Sequence, residues 1–399
     1  MKRHTKNNNK KINILLLDAG RQSLPFLKAF AKAGYYTILV SNAVFNECYF
    51  SRYPSKKLIW PDYSKNREAF KNSMLEFIEN NRVDIVIGLS DITAEIISEN
   101  KEKISKYSRV VSPEHDVFIK GANKLNLMNF CMRNSFPCPK TFALNSENLQ
   151  IVKDSLDYPV IVKPVGGVGA IGVTRIDNSN ELISKFPLLN EKYGALIVQE
   201  YIPVVERNQF MAEALVDNDG KMKVCVVVEK SRIFPVEAGT SSANVTVVHP
   251  DITDITRRLL ESLKWRGPAD IDFIVDPRDN TPKILEINPR VTAGAKIVFV
   301  SGVDFANLFV NLAFGKEIPV INNYTTGIYC RNFFLEILWL MSTGVGFLKK
   351  TRPPFFKFFG RNMCDQLFSF DDPLTWLGFL LHMMNKYMRI DKLKAKFHF

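Results

Sequence analysis

The sequence predicts a chain of mixed class: an α/β unit with a parallel sheet, then an α+β region, then a helical extension rich in aromatic and basic residues. Three observations carry this. Up to about Pro113, continuous apolar runs alternate with helical patterns. From Tyr158, short segments alternate apolar and polar residues at period two. From about Pro319, Phe, Trp and Leu are interleaved with Lys and Arg.

Taken in order, residues 1–10 ("MKRHTKNNNK") form a polar, basic tail that is expected to be flexible. "INILLLDAG" is an unbroken apolar run, as in a strand buried on both faces. Asp18 interrupts it too early for a secretory apolar core. "SLPFLKAFAKAGY" has apolar residues at helical spacing and a Gly34 stop. "YTILVSN" is a strand, "REAFKNSMLEFIENN" a helix and "VDIVIGLSD" another buried strand. Such alternation argues for a Rossmann-like sheet over residues 11–113. Its first turn, "DAGRQSLP", has no triple-glycine fingerprint, so a structural domain is the favoured reading. Asp18, Arg21, Ser90 and Asp91 are the minority candidates for a ligand at the strand ends.

A helix around Lys124 follows, and then the alternating strands "PVIVKPV", "GVTRID", "ALIVQEYIP", "QFMAEALVD", "KVCVVVEKSR", "SANVTVVH", "DIDFIVDP" and "PKILEINP". Helical pieces at Ser179–Leu189, Ile252–Trp265 and Asp304–Phe314 sit among them. The expected boundaries are 114–318 for this region, with subdomains at about 114–195 and 196–318, and 319–399 for the accessory extension.

Hydrophobic residues make up 46% and charged residues 24% of 399, which is ordinary for a protein with a real core. Six scattered cysteines without a CxxC pair or a Cys/His cluster argue for reduced thiols and against a zinc site. No stretch reaches the roughly 18 apolar residues of a membrane span. The net charge of +12 favours anionic partners, and eleven Lys or Arg against five acids lie from Cys330 onward. No nucleic-acid-binding signature accompanies that charge, so nucleic acid is not expected as a partner.

Chemistry concentrates in two stretches. "VKPVGGVGAIGVTRI" matches G-x-G-x-x-G at Gly167, Gly169 and Gly172. A dinucleotide site needs a helix directly after that motif. Here Val173 to Ile176 reads as a strand, so the glycines are expected to form a hairpin flap, with Lys163 as a fixed charge at its base. Glycines bring backbone N–H groups close to phosphate, so the pairing suits a nucleoside triphosphate. The bland alternative is a glycine hairpin with a solvated lysine. The second stretch is "ADIDFIVDPRDNTPKILEINPR", two strands around a turn. If Asp276 pairs with Pro282, Asp272 falls opposite Glu286, with Asn288 on the same face. That is a hard oxygen-ligand set suited to Mg²⁺ carrying phosphates. Here the bland alternative is a salt-bridged ladder with Lys283 or Arg290.

These motifs together resemble the ATP-grasp superfamily, in the branch of carbamoyl-phosphate synthetases, biotin carboxylases and carboxylate–amine ligases. The match runs from Ile12 to about Ile318 and includes "NKLNLMNF", "YPVIVKPVGGVGAIGV", "VQEYIP", "DIDF" and "LEINPR" in family order. The resemblance implies ATP held between two α+β subdomains behind a Rossmann-like (pre-ATP-grasp) domain. It implies that Lys124 and Lys163 contact phosphates, that Gly166, Gly167, Val168, Gly169, Ala170 and Gly172 form the loop above them, and that Glu200, Tyr201 and Ile202 are the adenine hinge. Asp272, Glu286 and Asn288 are the implied Mg²⁺ ligands (Mn²⁺ being an alternative), and Arg290, with Lys163, the implied catalytic pair. Where the family has a ribose-binding glutamate, this chain offers Glu206 and Gln209, and the reading leans to Glu206. Gly239, Thr240 and Ser241 are the implied acceptor-carboxylate loop. His249 is read as structural.

The implied activity is ATP-dependent activation of a carboxylate as an acyl phosphate, followed by attack of an amine or thiol, with C–N bond formation favoured. Small-molecule carboxylates and amines are the implied partners, with a homodimer as the implied assembly. Phosphorylation of bicarbonate and a non-catalytic ATP-binding scaffold are the alternatives. The expected location, from the scattered cysteines, is the cytoplasm. For the basic aromatic extension, a helical cap on the core is set against peripheral contact with the inner membrane face.

Overall fold

The computed structural model describes residues 11–166, 171–235, 239–344, 351–357 and 360–387. Gly167, Val168, Gly169, Ala170, residues 1–10 and the basic pair Lys349 and Lys350 lie outside the described residues. The chain forms two compact units. One joins residues up to Ser112 with Asp304–Glu317 and the segment from Leu367. The other comprises Pro113–Val303 and Ile318–Gln366.

In the first unit, strands β1 (Asn13–Leu16), β2 (Tyr36–Ser41), β3 (Lys56–Ile59), β4 (Ile85–Ile87) and β5 (Arg109–Val110) form a parallel sheet in the order β3-β2-β1-β4-β5. Parallel strands covered on both faces need apolar residues throughout. Accordingly, Leu15, Ile38, Val40 and Val86 pack with Phe70, Met74 and Ile78 of helix Arg67–Asn80. That helix starts where the Asn66 side chain accepts from the Ala69 N–H at 2.9 Å. The short strands β3 and β5 carry no clear alternation, and periodicity alone does not reveal them. Asp18 has a structural role: its Oδ2 accepts from the Leu89 N–H (2.6 Å), the Ser90 N–H (3.0 Å) and Thr93 Oγ1 (2.6 Å). It thereby ties the turn after β1 to the start of helix Asp91–Glu99, whose N-cap is Ser90. Helix Phe305–Ala313 belongs to this unit, with Phe309 edge-on to Phe26 at 5.4 Å.

The second unit contains two sheets. Strands β6 (Thr141–Leu144), β7 (Val160–Pro164), β8 (Thr174–Ile176) and β9 (Leu196–Glu200) run antiparallel in the order β6-β9-β7-β8, with helix Ser179–Tyr193 against them. Strands β10 (Gln209–Val216), β11 (Met222–Phe234), β12 (Thr240–Thr246), β13 (Gly267–Val275), β14 (Pro282–Asn288), β15 (Tyr329–Arg331) and β16 (Met363–Asp365) form a seven-stranded sheet in the order β14-β13-β10-β11-β12-β15-β16. Its pairs are antiparallel apart from β15–β16. One face is apolar: Ala212, Ala214, Val227, Ile271 and Phe273 pack on Leu127 and Met128 of helix Lys124–Arg133 and on Ile255 and Leu259 of helix Pro250–Ser262. His249 belongs to this packing, edge-on to Phe210 at 5.2 Å. The opposite face of the same strands is polar, because successive side chains alternate.

The hairpin register differs from the expected one in an instructive way. Pro282 pairs with Val275, one residue off the expected Asp276. A regular ladder from there would set Asp272 opposite Leu285. A bulge beside Phe273 adds one residue to β14 and restores the Asp272–Glu286 pairing. The glycine stretch is also a hairpin: β7 and β8 pair antiparallel, and no helix follows Gly172. Gly172 has φ +79°, and a Cβ there would lie 2.8 Å from Pro164 Cγ, so the return of the hairpin requires glycine. Among the described residues, no helix is long and apolar enough to cross a membrane.

Candidate active site

A cavity of about 320 Å³ opens over the polar face of β10–β14, within the second unit. Four elements supply its charges. Lys163 is the penultimate residue of β7 and is buried. Lys124 is the first residue of helix Lys124–Arg133, whose start is fixed by Asn123 Oδ1 accepting from the Asn126 N–H at 3.0 Å. Lys230 projects from β11, and Arg290 follows β14.

Opposed carboxylates on neighbouring strands repel unless cations sit between them. The structure supplies those cations. Lys124 Nζ lies 3.0 Å from Glu286 Oε2, and Lys230 Nζ lies 2.7 Å from Asp272 Oδ1. Burial alone would raise the Glu286 pKa, but Lys124 and then Lys163 outweigh it and bring the carboxyl down to about 2. Lys163 responds in the opposite sense. Burial lowers it to about 8, with Glu286 resisting and Lys124 adding to the fall. Asp272 is raised, chiefly by burial.

Beneath this row lies a second one. Glu213 on β10, Asp270 on β13 and Asn288 on β14 stand in register across three strands. Glu213 is fully buried and its Oε1 accepts from the Thr292 N–H at 2.9 Å. Asn288 Nδ2 donates to Asp270 Oδ2 at 3.2 Å, and Arg290 Nη2 donates to Asn288 Oδ1 at 3.2 Å. Arg290 also lies 3.8 Å from Asp270. Burial first, then the neighbouring carboxylates, push Asp270 up to about 8 and Glu213 well above the usual range. Asp270 therefore favours the protonated form near neutrality. Four basic side chains, Lys124, Lys163, Lys230 and Arg290, thus line the cavity together with Asp270, Asp272 and Glu286.

Another part of the cavity wall carries the apolar side chains Ile161, Ile202, Ile274 and Leu285. Glu200 anchors this part through Arg278 and Lys283, and both bases also hold Asp276. Tyr201 lies under the Arg175 guanidinium at 4.8 Å.

Of the residues expected from the sequence, Lys124, Lys163, Gly166, Glu200, Tyr201, Ile202, Gly239, Thr240, Ser241, Asp272, Glu286, Asn288 and Arg290 all line this one cavity. Gly172 does not line it. Of the two ribose candidates, Gln209 lines it and the exposed Glu206 does not. Gly239 passes against the Phe234 backbone, where a Cβ would lie 2.3 Å from the Phe234 carbonyl, and only glycine fits that approach. The sequence reading missed Lys230, Asp270 and Glu213. Asp270 was legible as the partner of Asp272 at i,i+2, and Lys230 as a lone base closing the apolar run "VCVVV". Glu213 in "FMAEALV" carries no signal of its own in the sequence.

Asp272, Glu286 and the Asn288 amide oxygen are hard oxygen donors that fit Mg²⁺. Among the described residues, no three His, Cys, Asp or Glu side chains converge on a point that could hold a metal ion. Two carboxylates without a complete protein cage match the way Mg²⁺ is shared between protein and phosphate oxygens.

Comparison with known proteins follows the same division. Residues 121–294 match the family model described as an ATP-grasp domain. The D-aspartate ligase of Enterococcus faecium is 28% identical over 271 residues, covering 62% of this chain and 63% of that protein. A carbamoyl phosphate synthase large chain from Saccharolobus islandicus is 23% identical over 329 residues, covering 77% of this chain and 30% of that one. Among solved structures, the biotin carboxylase–βγ-ATP complex from Campylobacter jejuni superposes with a TM-score of 0.68 at 15% identity, over 79% of this chain and 74% of that one. This chain thus spans less than two thirds of the length of either sequence relative.

Proposed function

We propose that this chain, which carries an ATP-grasp domain over residues 121–294, is an ATP-dependent carboxylate–amine ligase. One observation carries the reading: Asp272, Glu286 and Asn288 share a cavity with Lys124, Lys163 and Arg290, beneath the β7–β8 hairpin. Binding a nucleotide requires only part of that set. Moving a phosphoryl group requires all of it, because the charge that develops must be neutralised by groups already in place.

In this reading the adenine lies among Ile161, Ile202 and Leu285, and the triphosphate runs toward Lys163 and Lys124. Mg²⁺, with Mn²⁺ as a substitute, would be held by Asp272, Glu286 and Asn288 and would neutralise phosphate oxygens. A substrate carboxylate near Thr240 and Ser241 attacks the γ-phosphorus, and ADP leaves. Arg290 and Lys163 stabilise the charge on the transferring group. The amine nitrogen then attacks the acyl carbon, phosphate departs with the bridging oxygen, and the nitrogen loses a proton. Lys124 and Lys230, which hold the carboxylates in this structure, are the bases within reach of phosphate once a cation replaces them. The D-aspartate ligase relative supports C–N bond formation.

A screen pairing carboxylates with amines, reading phosphate release and product mass, tests the proposal. Mg²⁺-dependent amide formation is expected. ATP binding without turnover across a broad panel would favour a scaffold. Phosphate release with bicarbonate alone would favour the carbamoyl-phosphate-synthase-like reading, which the second relative supports. Light scattering tests the homodimer. Trp339 of helix Phe333–Thr343 is turned inward against Phe355 and Arg232, so this helix is read as a cap on the sheet. Vesicle sedimentation is the test of the membrane alternative.

A further inference from the structure

Helix Phe333–Thr343, in the second unit, carries its polarity the opposite way round from an ordinary surface helix. Its one charged residue, Glu336, is buried against the sheet. There Arg232 on β11 holds it, with both Glu336 oxygens 2.9 Å from Arg232 Nε, and Ser242 Oγ donates to it at 2.7 Å. Leu335 and Trp339 share this inward face. The Arg232 guanidinium lies 5.6 Å from the Trp339 ring, and Arg232 Nη1 donates to the Pro353 carbonyl at 2.9 Å. A buried ion pair adds little net stability, and its best-attested use is to fix position. Here it fixes which face of the helix turns outward.

That outward face is apolar. Phe334, Ile337 and Met341 follow at i, i+3 and i+7, opposite Leu335, Glu336 and Trp339. Ile337 is 38% and Met341 71% exposed. Phe355 stacks on Trp339, and Phe356, edge-on to Phe355 at 5.3 Å, is 68% exposed. Single exposed apolar residues are common, whereas a helix face of Phe, Ile and Met beside an exposed Phe calls for a partner.

The charge that follows this helix is of one sign. Between Glu336 and Asp365 the chain holds Lys349, Lys350, Arg352, Lys357 and Arg361 and not one acid. Lys357, next to Phe356, and Arg361 are exposed, and neither forms an ion pair among the described residues. Exposed apolar side chains flanked by unopposed bases match the interface of an anionic bilayer, which takes the first into its headgroup boundary and the second onto its charged surface. A nucleic acid would use the bases and leave Ile337 and Met341 without a role. The helix is too short to cross a membrane, since its 11 residues span ~16 Å against a hydrocarbon core of ~30 Å.

We infer that the outer face of helix Phe333–Thr343, with the adjoining loop at Phe356 and Lys357, is a peripheral docking surface for an anionic lipid bilayer. Capping the sheet and meeting the membrane are tasks of opposite faces of one helix. Met341 and Phe356 enter the headgroup boundary, and Lys357 and Arg361 lie against acidic headgroups. No residue of the proposed catalytic set belongs to this face, so the inference does not rest on the ligase reading.

The test sediments the full chain with vesicles of phosphatidylcholine alone and of equal parts phosphatidylcholine and phosphatidylglycerol. Binding to the anionic vesicles is expected, at least ~10-fold stronger than to the neutral ones and weakening as salt is raised. Each base near an anionic surface is worth about fivefold in partitioning, so K357Q/R361Q should weaken binding at least ~10-fold. M341S/F356S should weaken it at least ~10-fold through lost apolar burial. All four positions are exposed, so both variants should melt as the native chain does. Absence of vesicle binding overturns the proposal. So does binding that both variants retain but that is lost when the basic residues 388–399 are removed. A dimer in light scattering that M341S/F356S dissociates, without vesicle binding, assigns the face to a second copy and equally overturns it.

Discussion

Replacing Glu336 by Met is the most direct test of how the C-terminal region is attached. Glu336 is 1% exposed and accepts from Arg232 Nε, Arg232 Nη2 and Ser242 Oγ. Met is close in volume, so little cavity opens. Arg232, 6% exposed, keeps a single backbone acceptor, Pro353 O, for a buried charge. Stranding one partner of a buried pair costs about 3–5 kcal/mol, and losing the Ser242 bond adds about 1. Domains of this kind have about 5–15 kcal/mol in total, so E336M should remove a large share. For a domain of ~150–250 residues, that corresponds to a fall in Tm of roughly 8–24 °C. Differential scanning calorimetry should show it in one transition, with the other unmoved, because Glu336 lies in one of the two units. Removing both charges in R232M/E336M should recover most of the loss. A fall under ~1 kcal/mol for E336M, or a double variant as poor as the sum of the singles, would refute the claim that stranded charge dominates.

The remaining predictions concern the site and the Asp276 ion pairs beside it. E286Q and D272N should each lower ATP-dependent phosphate release at least ~100-fold, since each removes a charge that organises the phosphates; near-normal release from either would sink the metal assignment. K163M should lower turnover by a similar ~100-fold and weaken ATP binding, which nucleotide titration by calorimetry would register. EDTA should abolish phosphate release, with Mg²⁺ or Mn²⁺ restoring it; activity that persists in EDTA would contradict the ligand set. Asp276 is held well below the usual carboxylate range by Arg278, against burial and with help from Lys283. Its stabilising effect is therefore complete above the unfolded value near ~4 and fades as the pH falls below it. Tm measured from pH 6 to pH 2 should drop more steeply in the native chain than in D276N, and parallel curves would refute this.

Much of the fold was legible because periodicity reports burial. The continuous run at Ile12–Leu17 and the alternation from Tyr158 separated a parallel sheet from antiparallel ones. The glycine stretch was correctly separated from a dinucleotide loop by Val173 to Ile176 alone, a strand where a helix would be needed. The Asp272–Glu286 pairing was reached through a turn register that is one residue off. The bulge in β14 corrects it, and nothing in "NTPKILE" announces the bulge.

By itself, then, the sequence determined most element types, the glycine hairpin and the order of the lysine, glycine and carboxylate motifs, because these depend on local pattern and on chemistry carried by single residues. Tertiary structure decided which charges meet. Lys230 comes to Asp272 from another strand, Glu213 and Asp270 become adjacent only through the β10–β13 register, and Arg232 finds Glu336 a hundred residues away. Such pairings depend on strand order and register, which are set by the packing of the whole sheet and leave no periodic trace in any one strand.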